Sequence, residues 1–126
     1  MIHLLSIAAG GALGALLRYG FSSGAHHLLG KGFPYGTLLV NVIGSFIIGM
    51  VYVYMIERGE LSEDWRAFLV IGLLGAFTTF STFSFETINL VETGEMLKAG
   101  LNILLSVSFC LGACWIAMLL ARQTNI

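Results

Sequence analysis

The stretch GLLGAFTTFSTFSFE runs from Gly72 to Glu86 and closes an apolar segment. It carries five hydroxyls (Thr78, Thr79, Ser81, Thr82, Ser84), four phenylalanines (Phe77, Phe80, Phe83, Phe85) and one carboxylic acid, Glu86. In water this is an odd but workable core. In hydrocarbon each polar group must find a partner within the protein, because no water is there to supply one.

The rest of the chain points to hydrocarbon. Its 126 residues suffice for a single domain, 1–126. They are 57% hydrophobic and 10% charged, with a mean hydropathy of +0.90. A soluble domain carries about 25% charged residues. The formal net charge of −1 gives no basic surface for nucleic acid and no acidic tail, so no nucleic-acid partner is expected. Cys110 and Cys114, four apart in an apolar run, read as small packing residues, since a disulfide across one helical turn is strained. The first run has no basic leader or trusted cleavage pattern, and reads as a retained span.

A membrane-crossing helix needs about 20 apolar residues. Four windows qualify: 2–21, 36–56, 65–85 and 99–121. The connections are short and hold most of the charges and the one proline, Pro34. The expected fold is an all-α membrane protein of four transmembrane helices. Orientation follows lysine and arginine. Arg58, Arg66 and Arg122 fall on one side, and Arg18, Lys31 and Lys98 on the other. Arg18 lies inside a span but close enough to its end to snorkel. A balanced count gives no strong instruction, which points to insertion both ways up. The alternative is one fixed topology set by other features.

Polar residues recur at helical spacing. Gly10 and Gly14 form a small-residue pair suited to close helix packing in lipid. Thr37, Asn41, Ser45 and Gly49 make a stripe on the second span. Asn41 is its expensive member, and two roles stay open: bonding between helices, or lining a wet path. Asn102, Ser106, Cys110 and Cys114 repeat the device on the fourth span, with Ser108 nearby. In the third span, Gly72 and Gly75 lead into a run of weak helix formers, so a helix break is expected near Thr78. Bare carbonyls at such a break suit a sodium-like cation. Beyond it, Thr79, Thr82 and Glu86 share one face and Phe80 and Phe83 another. Ring edges are positive, so alternating rings and hydroxyls could pass a small anion. Packing against lipid or protein is the plainer role for the rings.

These motifs resemble the CrcB/Fluc fluoride channel family. The carriers are the third-span stretch above, GTLLVNVIGSFIIG (residues 36–49) and GGALGALLRY (residues 10–19). The resemblance implies a passive, fluoride-selective channel in the bacterial inner membrane. It would be an antiparallel, dual-topology homodimer with two oppositely oriented pores. Phe80 and Phe83 would be its pore rings and Asn41 a pore amide. Thr79, Ser81, Thr82 and Glu86 would lie along the polar track, Arg18 near the vestibule, and Ser106 or Ser108 would be the fourth-span contribution. A structural Na+ at the dimer centre would rest on backbone carbonyls of Gly75 and Thr78. The rival expectation is a small dual-topology, proton-coupled cation or multidrug exporter, for which Glu86 is the available acid. A membrane assembly subunit without transport is a third reading. No pattern supports an enzyme.

Overall fold

The computed structural model describes residues 2–124. All regular structure in them is helical. Helix α1 (Ile2–Leu29) ends where Gly30 takes φ +85°, and the Gly30 N–H donates to the His26 carbonyl at 2.9 Å. Only glycine adopts that left-handed terminator without a Cβ penalty. Helix α2 (Tyr35–Tyr52) starts after Pro34 and widens into π-helical turns at Val53–Glu57. The third segment opens as α3 (Glu63–Arg66), where the Ser62 hydroxyl accepts the Trp65 N–H at 3.4 Å. It becomes π-helical over Ala67–Leu74 and tightens into the short α4 (Gly75–Phe77). Thr78 and Thr79 then take extended dihedrals before α5 (Phe80–Glu92). Helix α6 (Met96–Gln123) follows.

Four segments are long and apolar enough to cross a membrane: His3–Leu29, Tyr35–Glu57, Glu63–Glu92 and Met96–Gln123. They overrun the windows read from hydropathy. The segment SSGAH stays in α1, and the connection before α6 shrinks to residues 93–95. Hydropathy finds the lipid-buried portion, whereas the helix runs until a terminator such as Gly30 or Gly94 stops it.

The interior is rich in alanine, with Val40, Val53, Leu74 and Phe77 as its larger members. Ala25, Ala67, Ala99, Ala117 and Ala121 are buried, while Leu16, Leu104, Trp115 and Phe80 are exposed. This inverts a soluble core and suits lipid, where close backbone contact replaces the hydrophobic drive. Helix α2 packs mainly on α6, and α1 on the π-helical stretch. At that second contact a Cβ on Gly10 would stand 2.9 Å from the Leu73 nitrogen and closer still to the Phe68 carbonyl. Backbone cannot move aside as a flexible side chain does. Gly10→Val should therefore destabilise the helix pair by about 1–3 kcal/mol. Thermal unfolding in detergent checks this. An unchanged midpoint would mean that the contact is looser than described.

Polar contacts gather three chain segments at one end. His3 meets Asp64 at 2.9 Å, Arg122 meets Glu57 at 2.7 Å, and Arg58 donates to the Ala121 and Thr124 carbonyls. The opposite end holds the 30–34 and 93–95 connections. The chain thus runs up and down four times, with arginines 58, 66 and 122 at one end.

Candidate functional site

The region between α4 and α5 is organised by partners for its own backbone. In an unbroken helix the Thr79 N–H would bond the Gly75 carbonyl. Here it donates to Asn41 Oδ1 at 2.8 Å, and Asn41 Nδ2 donates back to the Thr79 carbonyl at 3.0 Å. The two bonds fix the amide's orientation. The Thr79 hydroxyl then serves as N-cap of α5, accepting the Thr82 N–H at 3.2 Å. It also bonds the Thr82 hydroxyl at 3.1 Å and lies 3.4 Å from that of Ser81. On the other side, the Thr78 N–H and hydroxyl both donate to the Leu74 carbonyl, at 3.1 and 2.9 Å.

These choices release two carbonyls. The i+4 donors for Gly75 and Thr78 are the N–H groups of Thr79 and Thr82, and both point elsewhere. Hard cations prefer such oxygen ligands. Gly75 is itself exposed. The two carbonyls are oxygen donors of the kind that a hard cation takes.

Arg18 departs from the snorkelling expected of it. It is half-buried, and its Nε–H donates to the Ala76 carbonyl at 3.0 Å. That carbonyl is another acceptor freed where α4 ends, and it draws the guanidinium inward. Gly44 makes room for this arrangement, because a Cβ there would collide with the Thr78 methyl.

A groove of about 490 Å³ lies beside this region. Asn41, Thr78, Thr79, Gly75, Phe80, Phe83 and Ser106 border it, with Ser45 and Cys110 further along. The Phe80 and Phe83 rings tilt against each other at 41°, with centroids 5.4 Å apart. Phe80 is 77% exposed, so its ring stands out from the four-helix unit. The groove therefore offers two phenyl rings, hydroxyls and an amide, with no lysine or arginine among its lining residues.

Other residues singled out from sequence fall elsewhere. Ser81 is exposed, and Thr82 is half-buried behind the Thr79 cap. Neither borders the groove, nor do Glu86 and Arg18. Glu86 is half-buried, and its Oε1 lies buried with no hydrogen-bond partner among the described residues. Ser106 is buried beside the groove, whereas Ser108 lies on an exposed face of α6. Reading by sequence passed over Thr87. Its signal was its place four residues after Phe83, opposite the polar stripe of α6.

Fold and site together describe a helical membrane protein with four segments long and apolar enough to span, whose polar groups converge on Thr78 and Thr79 between α4 and α5. A model of the CrcB-like protein, Camphor Resistance (CrcB), family matches residues 5–118. The chain belongs to that family. It is 47% identical over 123 residues to the fluoride-specific ion channel FluC of Geobacter sulfurreducens, covering 98% of this chain and 99% of that relative. It is 53% identical over 111 residues to the protein of the same name from Shewanella amazonensis, covering 88% of this chain and 89% of that one. A FluC of Methylococcus capsulatus is 52% identical over 125 residues, and this chain spans 99% of its own length but 55% of that relative's.

Proposed function

We propose that this protein is a passive, fluoride-selective channel. It acts as a single four-helix unit in the bacterial inner membrane, assembled as an antiparallel homodimer with two oppositely oriented pores. Family membership and the relatives' shared name support the substrate. The observation that carries the mechanism is the Phe80–Phe83 ring pair, bordering one groove with Asn41 and Ser106. The exposed Phe80 ring calls for a second subunit to close that groove into a path.

In this reading the third span is a broken helix, held open at Thr78 and Thr79 by Asn41 and Arg18. Ring edges and hydroxyl donors attract a dehydrated anion weakly, so it can enter and still leave. A fixed cation in the groove would hold it too tightly. A structural Na+ would bind the Gly75 and Thr78 carbonyls of both subunits and neutralise their clustered dipoles. Ser81, Thr82 and Glu86 would form a polar route toward the membrane surface, and Ser106 is the fourth-span donor.

Phe80→Ile and Phe83→Ile keep bulk and apolarity but remove the ring-edge charge. An aromatic contact is worth about 0.5–1.5 kcal/mol beyond its area. Each substitution should therefore slow fluoride flux about tenfold, while the dimer peak on size exclusion stays unchanged. Native flux in both variants would reduce the rings to packing.

A further inference from the structure

Helix α5 carries both phenylalanines, yet it has almost no apolar anchor in its own subunit. Its one buried side chain is Thr87, 6% exposed. Thr87 faces Asn102 of α6, itself 2% exposed. The Asn102 Nδ2 donates to the Thr87 hydroxyl oxygen at 2.9 Å. That hydroxyl donates to the Phe83 carbonyl at 2.7 Å. At the other end, the Ser106 hydroxyl lies 3.5 Å from Asn102 Oδ1. The direction of the chain is forced. Thr87 has one proton, and Phe83 takes it. Thr87 must then accept from the Asn102 amide, which turns the amide oxygen toward Ser106.

We propose that Thr87 and Asn102 are positioning residues for the ion path. Resting on the channel reading above, the pair locks α5 onto α6 in the one register that brings Phe83 and Ser106 to the same groove. An apolar contact would tolerate sliding or rotation, whereas a hydrogen bond between two buried groups has one geometry. The same relay sets the state of Ser106. Its proton rests on a long, weak bond to Asn102, so it can turn to an arriving anion. Asn102 supplies the acceptor to which it returns.

The test is fluoride efflux from liposomes, scored both as the fraction of active vesicles and as rate per active dimer. Thr87→Val removes the hydroxyl at nearly constant shape, and Thr87→Ser restores it without the methyl. The valine variant should lose about tenfold in rate per dimer, the shift that an ordinary interhelical hydrogen bond represents. The serine variant should stay within about twofold of native, and fluoride-over-chloride selectivity should fall in the first and hold in the second. Equal rates in native, Val and Ser proteins overturn the proposal, as does an equal loss in both variants. If Thr87→Val does not assemble, Asn102→Leu decides the matter. It removes the donor to Thr87 at similar volume, so native flux there contradicts the proposal. Absence of fluoride flux in the native protein would instead strike the channel reading, and this proposal with it.

Discussion

Asn41→Asp is expected to cut fluoride flux about a hundredfold and to lower the thermal stability of the subunit. The side chain keeps its size and can still accept the Thr79 N–H. It loses the Nδ2–H that satisfies the Thr79 carbonyl at 3.0 Å. Ionised, the carboxylate sets an oxygen against the Thr79 carbonyl oxygen and puts a negative charge beside the groove. A made interhelical hydrogen bond contributes only about 0.6–2 kcal/mol in a membrane. The larger effect is the group left behind, since an unsatisfied backbone polar group in hydrocarbon costs several kcal/mol. Asn41→Leu strands both the N–H and the carbonyl of Thr79 and should be worse. Flux per dimer and the unfolding midpoint, measured on one preparation, check the pair. Asn41 would be bonding between helices alone if stability fell while flux per surviving dimer stayed native.

A second large effect concerns orientation. Arg58, Arg66 and Arg122 stand at one end and Lys31 and Lys98 at the other, with Arg18 drawn inward between them. Lysine and arginine near span ends set topology, and a division this close to even gives only a weak instruction. Two or three lysines added around Glu60 should drive nearly every copy into one orientation. If the working unit is antiparallel, fluoride resistance should then vanish. Co-expression with a copy biased the other way, through lysines near Lys31, should restore it. Cysteine labelling from one membrane face gives a direct reading: a single cysteine introduced into a loop should react in roughly half the copies. One-sided labelling in an active population would contradict the antiparallel arrangement.

Much of this was legible from residue order, for physical reasons that can be named. The spans were visible because hydropathy reports the lipid-buried length of a helix. Their ends were not, because terminators such as Gly30 act on backbone dihedrals that hydropathy ignores. The run of Thr and Ser after Gly75 marked a weak helix. The donors that hold this region come from elsewhere in the chain. Asn41 reaches it from 38 residues away and Arg18 from 58, and no local pattern records such pairings. Sequence left Asn41 between two roles. The structure gives it a bond to Thr79 and a place beside the groove, so the two are not exclusive. Arg18 read as a snorkelling residue because its distance from the span end is visible, whereas the bare Ala76 carbonyl is not. Ser106 and Ser108 were inseparable by type. Only the packing of α6 turns one inward and the other out.

The central claim is that this chain conducts fluoride passively. The most direct measurement is fluoride-electrode recording of efflux from liposomes holding purified protein and loaded with potassium fluoride. Efflux should be slow at first, because a passive anion path is electrogenic and charges the membrane. Added valinomycin should release it at once, and liposomes loaded with chloride should stay closed. Cation movement driven by a proton gradient, without fluoride release, would point to an exchanger using Glu86. Fluoride retained after valinomycin, in vesicles shown to hold folded dimer, would contradict the account.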